Sequence, residues 1–309
     1  MKVAYVFPGQ GSQYVGMGKD WYDGSSVAKT MFLKANEILG FDIAKVCFDG
    51  PEDKLRQTEI TQPAIFLHSA VAFSLMEEKS FDAAAGHSLG EYSALFASGA
   101  LDFEHALMLV GLRGRLMQHA GDVRHGTMAA VVGLDEKSVE DVCREASQAG
   151  IVQPANYNSP GQIVISGDVD AVHKAMELAK PRGAKIVKEL VVSGAFHSPL
   201  MEAAKEELKK AIDAAPFHDA KVPVYANVTG KPVKTASEIK DALIRQLTSP
   251  VRWQESVVNM SEDGVTRFVE IGPGKVLQGL VKRTVSTVET LGIDKMNEAK
   301  TFTKVAAEG

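Results

Sequence analysis

Phe81-Asp82-Ala83-Ala84-Ala85-Gly86-His87-Ser88-Leu89-Gly90-Glu91-Tyr92 is the stretch that decides how this chain is read. A short apolar run, Phe81 to Ala85, leads into Gly-x-Ser-x-Gly at 86–90. A helix-like stretch, Glu91 to Ala97, follows. Strand, glycine-bounded serine and helix in that order make a nucleophile elbow. The turn is so tight that its flanking positions must be nearly free of side chain, which glycine supplies. It lifts the Ser88 hydroxyl above the sheet edge. It also leaves the Leu89 amide at a helix N-terminus, where it can stabilise an oxyanion.

Outward from the elbow, strands and helices alternate. Val3 to Phe7 reads as a buried strand, followed by the loop Pro8 to Gln13. Thr61 is expected to cap a long helix with Pro63 in its first turn, ending near Lys79. Asp102 is expected to cap a helix reaching Ala120. This alternation argues for an α/β fold with a parallel sheet covered on both faces. The pattern changes near Gly121. Strand Met128–Val132, helix Glu136–Gln148, strands Val152–Tyr157 and Gln162–Gly167, helix Val169–Lys180 and strand Lys185–Val191 give β-α-β-β-α-β, a ferredoxin-like unit. It is read as an insert at 124–193 within a larger catalytic subdomain formed by 1–123 and 194–309. Ser198 with Pro199 opens another helix, Val222–Ala226 and Arg267–Ile271 return to strand, and Lys275–Arg283 is a last helix. From Thr284 the pattern is weak.

Composition bounds the function. A chain of 309 residues can bury a large core, and its net charge of −5 offers no global attraction to nucleic acid or an anionic membrane. Two cysteines, Cys47 and Cys143, make no disulfide framework, which suits a reducing compartment and a cytoplasmic location. The apolar start stops at Pro8, too early for a signal-peptide core, and no run reaches transmembrane length. The histidines show no metal-ligand spacing, so no metal is expected.

Ser88 needs a base, and His197 in Gly194-Ala195-Phe196-His197-Ser198-Pro199 is the best candidate. It stands just before a helix N-terminus, where partial positive charge disfavours imidazolium. Taken alone, it could simply precede a helix cap. Arg113 interrupts an apolar stripe through Ala106, Leu109, Val110, Leu116, Met117 and Ala120. A core-facing guanidinium must be paired, either in a structural salt bridge or by a substrate carboxylate held in a bidentate fork. The glycine-bounded loop at Gln10 could donate a second amide to an oxyanion. No triad acid stands out: Asp213 and Asp219 lie between elements without a compelling context.

These residues resemble the malonyl-CoA:acyl-carrier-protein transacylase family over almost the whole length. The resemblance rests on Phe7-Pro8-Gly9-Gln10-Gly11-Ser12-Gln13, the elbow through Tyr92, Arg113-Gly114-Arg115-Leu116-Met117-Gln118, Asn156 to Gln162, Gly194 to Ser198, Gln246-Leu247 with Pro250 to Trp253, and Glu270-Ile271-Gly272-Pro273-Gly274. It implies an α/β-hydrolase-like large subdomain with the ferredoxin-like insert. It implies Ser88 as the acylated nucleophile, His197 as general base and acid, and the amides of Gln10 and Leu89 as the oxyanion hole. Arg113 would bind the malonyl carboxylate, Met117 and Phe196 would line the acyl pocket, and Asn158 would bind substrate. The backbone carbonyl of Gln246 would orient His197, which accounts for the missing acid. A phenylalanine before the histidine goes with malonyl over methylmalonyl in the related polyketide acyltransferases. Malonyl-CoA and holo acyl carrier protein are the implied partners of a monomer that needs no cofactor, serving fatty acid elongation or a discrete polyketide system. Two rivals stand beside it. A serine esterase or thioesterase would carry an acid between serine and histidine in chain order and gives Arg113 no task. A non-catalytic carrier-protein docking module leaves Ser88 and His197 without one.

Overall fold

Val3–Phe7 carries no polar face because it is hydrogen-bonded on both edges and covered on both sides. It lies within β1 (Lys2–Phe7) of a computed structural model that describes residues 1–307. The strands that follow are β2 (Ala83–Gly86), β3 (Gly126–Val132), β4 (Val152–Ser159), β5 (Gln162–Asp168), β6 (Ile186–Glu189), β7 (Val224–Tyr225), β8 (Pro232–Val233), β9 (Val265–Ile271) and β10 (Glu289–Ile293). The larger sheet runs β10-β9-β1-β2-β7-β8, parallel except for the terminal β8. The smaller sheet, β4-β5-β3-β6, is antiparallel throughout. The fold is therefore mixed α/β with a parallel sheet and a separate antiparallel one. Residues 308–309, the last two of the range expected for the larger subdomain, lie outside the described residues.

Both sheets bury apolar faces against helices. Tyr5, Phe7 and Ala84 enter one core beneath the helix Thr58–Leu75, while Ala4, Val6, Ala83 and Ala85 enter another with Trp253 and Leu277. In the smaller sheet Ala129, Val131, Ile163 and Ile165 pack on the helices Glu136–Ala146 and Val169–Ala179. Where the chain passes to the strands of the smaller sheet and returns from them, Gly121 and Gly194 meet back to back. A Cβ on Gly121 would overlap the Ser193 carbonyl.

Several boundaries differ from the sequence reading. The long helix runs Thr58–Leu75, so Thr61 is not its cap. Its first amide is met from elsewhere, by Gln118 Oε1 at 3.1 Å, and the Thr61 hydroxyl donates instead to the Leu55 carbonyl. The helix stops before Lys79 because Met76 is already extended and the chain must turn toward β2. Asp102 does cap the next helix, Phe103–Val123, accepting from the His105 amide. After Ser198 comes a short 3-10 turn, Pro199–Met201, before the helix Glu202–Ala214.

The weakly patterned tail is structured. β10 adds to the edge of β9, and the helix Met296–Ala307 follows. Asp294 anchors this end. Its carboxylate accepts from the Tyr14 hydroxyl at 2.8 Å and lies 3.2 Å from His68 Nε2, while its carbonyl accepts from Trp21 Nε1 at 2.8 Å. Asp294→Ala strands the half-buried Tyr14 hydroxyl and takes the carboxylate from His68, whose Nε2 keeps the backbone carbonyl of residue 294 at 3.0 Å, and should cost about 1–3 kcal/mol. Denaturant unfolding checks this; an unchanged midpoint would mean the tail is held by its apolar contacts alone.

Candidate active site

Ser88 sits at the mouth of β2, with φ at +53°, a conformation that L-residues reach only under constraint. The glycines explain how the turn closes. A Cβ on Gly86 would overlap the Gly90 backbone, and one on Gly90 would overlap the Phe7 carbonyl. The elbow thus packs directly on the end of β1, and the helix Gly90–Ala97 leaves from it.

His197 comes from the far side of the smaller sheet's connection and is also left-handed, at φ +56°. Its Nε2 lies 2.8 Å from Ser88 Oγ, and its Nδ1 lies 3.0 Å from the Gln246 carbonyl oxygen. A carbonyl can only accept, so Nδ1 carries the proton and Nε2 is left bare to take the serine proton. No carboxylate is needed to fix this tautomer. Burial, and then the nearby Arg113 charge, push the imidazole down to about 3, so the ring is neutral at working pH. Gln153, on β4, donates from Nε2 to the His197 carbonyl at 2.9 Å.

Arg113 is 1 % exposed, on the helix Phe103–Val123. Gly114 lets that helix approach the backbone of Thr58 and Glu59, which brings Gln62 within reach. Arg113 Nη1 donates to Gln62 Oε1 at 2.6 Å, and Nη2 donates to Gln246 Oε1 and to Ser88 Oγ, both at 3.0 Å. Its Nε has no partner, and among the described residues no carboxylate lies within 4 Å of the guanidinium. A buried guanidinium supplied only with neutral acceptors retains an unmet preference for an anion. Among the described residues, the structural salt bridge left open by the sequence is not formed.

These groups surround one cavity of about 110 Å³, lined by Gln10, Gln62, His87, Ser88, Leu89, Arg113, Met117, Met128, Asn156, Leu190, Val192, Phe196 and His197. That suits a short acyl group. Among the described residues, neither the Gln10 nor the Leu89 amide donates a hydrogen bond to another backbone group. Both are therefore available to an oxyanion between them and Ser88. Asn158 departs from expectation. Its Oδ1 accepts from His87 Nε2 at 2.8 Å behind the cavity wall, and its neighbour Asn156 takes the lining position. Strand alternation makes the two equivalent in face but not in depth.

Sequence reasoning missed Gln62, Asn227, Glu91 and Gln153. The Asn227 side chain accepts from the Ser88 amide and donates to the Gly86 carbonyl, each at 2.7 Å. Gln62 did leave a signal: it is a polar residue inside a helix buried without a break from Ile60 to Phe73. Among the described residues, no group of three or more His, Cys, Asp or Glu could hold a metal ion, and no helix is long and apolar enough to cross a membrane.

Comparison with known proteins gives a consistent picture. The acyl transferase domain family matches residues 4–305. The chain is 45% identical over 295 residues to the malonyl CoA-acyl carrier protein transacylase of Bacillus subtilis, covering 94% of this chain and 93% of that one. It superposes on an acyl carrier protein S-malonyltransferase from Vibrio cholerae with a TM-score of 0.93 at 44% identity, covering 98% and 100% of the two chains. A type II PKS malonyl-transacylase solved in complex with its acyl-carrier protein gives 0.94 at 41% identity, covering 99% and 100%.

Proposed function

The chain belongs to the acyl transferase domain family, and within it to the malonyl CoA-acyl carrier protein transacylases. From that premise we propose that it moves a malonyl group from malonyl-CoA to the phosphopantetheine thiol of holo acyl carrier protein through a malonyl ester on Ser88. The observation that carries this reading is Arg113: a buried cation with no carboxylate partner among the described residues, 3.0 Å from the nucleophile.

In the first half-reaction Ser88 Oγ attacks the thioester carbonyl as His197 Nε2 takes its proton. The carbonyl oxygen, now negative, lies against the Gln10 and Leu89 amides. The C–S bond breaks, and the imidazolium returns its proton to the departing CoA thiolate. In the second half the carrier-protein thiol attacks the ester, His197 accepts its proton, and Ser88 leaves with that proton. The malonyl carboxylate pairs with Arg113. That pairing cancels the second cause of the depressed His197 basicity, so the base strengthens as the right substrate seats. Met117 and Phe196 border the acyl group, and Asn158 acts on substrate only through His87.

The same reading divides the chain into an α/β-hydrolase-like catalytic subdomain, 1–123 with 194–309, and a ferredoxin-like insert, 124–193. The β4-β5-β3-β6 order supports the latter. It takes the protein as a cytoplasmic monomer, without cofactor, that supplies fatty acid elongation. The likeness to a type II PKS transacylase supports discrete polyketide synthesis as the second reading. Intact mass after brief mixing with malonyl-CoA tests the central claim. A persistent malonyl adduct that disappears on adding holo carrier protein is expected; free malonate with little adduct would indicate a hydrolase.

Carrier proteins of this kind are acidic, and so is this chain, so docking requires a local basic patch. Lys185 and Lys188 are exposed at the edge strand of the smaller sheet. Lys275 is exposed beside Gly274, which packs toward Ser12 in the Gln10 loop. Arg283 is exposed, whereas Lys282 is tied to the Val288 carbonyl. Lys275→Glu with Lys188→Glu should slow transfer to carrier protein several-fold and leave Ser88 acylation by malonyl-CoA almost unchanged. Raising salt should weaken the same half-reaction, since exposed charges are screened beyond ~10 Å at 0.1 M. A transfer step indifferent to both would point to an apolar docking surface.

A further inference from the structure

We propose that Glu91 is a positioning residue for this reaction: one of its carboxylate oxygens ties together the two residues, Asn227 and Gln246, that hold the nucleophile turn and the histidine, acting as a hydrogen-bond acceptor rather than as a charge. The inference rests on the reading of Ser88 as the acylated residue.

Glu91 lies in the first turn of the helix Gly90–Ala97 and is 2 % exposed. Its Oε2 accepts from the Asn227 backbone amide and from Gln246 Nε2, both at 3.0 Å. Those two residues supply the side chains that grip the backbone of the elbow. The Asn227 side chain grips the Gly86 carbonyl and the Ser88 amide, and Gln246 Nε2 also donates to the Ser88 carbonyl at 2.9 Å. Gln246 further presents Oε1 to Arg113 and its backbone carbonyl to His197. A left-handed serine persists only where its surroundings over-determine it. Here every backbone group pinned at the turn by a side chain depends on a residue hung from the same oxygen. Because a carboxylate oxygen only accepts, it also fixes which way round the Gln246 amide sits, with its oxygen toward Arg113.

Glu91 does not reach the reacting atoms. Among the described residues its side chain has no hydrogen bond to Ser88 or His197 and no ion pair within 4 Å; only its backbone amide donates, to the Ser88 carbonyl at 3.1 Å. The titratable groups that face it are Arg113, from the helix Phe103–Val123, and Tyr92 on its own helix; Asn227 and Gln246 face it with neutral amides. Burial pushes its carboxyl up to about 7, against the pull of the Asn227 and Gln246 hydrogen bonds and of Arg113. An oxygen that is partly neutral near pH 7 still accepts, so a role in acceptance survives where a role in charge would fade.

Steady-state malonyl transfer by Glu91→Gln and Glu91→Asp separates the two roles. Glu91→Gln keeps an acceptor oxygen at full reach and loses the charge, so it should stay within about fivefold of the parent kcat. Glu91→Asp keeps the charge and withdraws the oxygen by one methylene. Since misplacement by about 1 Å can cost on the order of 10²-fold, its kcat should fall about thirtyfold or more, with KM for malonyl-CoA changing less than about threefold. Asn227→Asp, which sets an oxygen against the Gly86 carbonyl at unchanged volume, should give the same split, and it stands in should the Glu91→Asp protein not fold. An active Glu91→Asp beside an inactive Glu91→Gln would overturn the proposal, as would KM rising in step with lost kcat, or undiminished turnover by Asn227→Asp. Loss of the malonyl adduct in Ser88→Ala tests the underlying reading separately, so the two can fail independently.

Discussion

Ser88→Ala is expected to form no malonyl adduct while remaining folded, and His197→Ala to acylate more slowly by roughly 10²–10⁴, the usual cost of losing a general base. The geometry makes the two effects distinct. Without Ser88 there is no oxygen 2.8 Å from His197 Nε2 to be acylated. Without His197 the hydroxyl remains, still held by Arg113, but nothing takes its proton. Intact mass over a time course reads both. A malonyl group persisting on Ser88→Ala would mean the nucleophile is another residue, and an unchanged rate for His197→Ala would place the base elsewhere.

Arg113→Ala should reverse acyl preference. Removing one partner of a buried carboxylate–arginine pair costs roughly 3–5 kcal/mol, so malonyl transfer should fall on the order of 10²- to 10⁴-fold. Acetyl-CoA brings no carboxylate to strand. Its transfer should hold or rise, for two reasons the site supplies: Ser88 Oγ no longer accepts from the guanidinium, and the charge that depresses His197 is gone. Parallel acylation assays with malonyl-CoA and acetyl-CoA decide the matter. Equal losses for both would make Arg113 a structural residue, a bridge between Gln62 and Gln246.

Those residues were legible in the sequence because each breaks a local rule. Ser88 stands between two glycines that no ordinary helix start needs, and Arg113 interrupts an apolar stripe. The β-α-β-β-α-β order was legible because its strands are short runs punctuated by turn residues. What could not be read lies in contacts made far along the chain. Asn227 follows a strand of only two residues and belongs to no periodic pattern, yet its side chain pins Ser88, 139 positions away. Asp294 lies 280 positions from Tyr14, and β10, at a sheet edge with a mostly half-covered face, offers no clean alternation. The Thr61 cap failed for a related reason: a side chain from another helix, Gln118, satisfies the first amide. The strand was expected to end at Tyr157, before Asn158; β4 runs on to Ser159, and Asn158 meets His87 while Asn156 lines the cavity, a distinction that depends on the register with β5.

β1 lies between β2 and β9, and a ribosome makes these three strands at very different times. Residues 2–7 emerge first, β2 ends at Gly86, and β9 begins only at Val265. At roughly 5–20 residues per second, the β9 edge of β1 stays open for on the order of 15 to 50 s of synthesis. Through that interval an apolar strand, destined to be covered on both faces, presents unpaired amides and carbonyls to whatever is near. Val3–Phe7 is then the segment most exposed to mispairing while the chain is still being made. The strand that later supports the nucleophile turn is among the last to be fully enclosed.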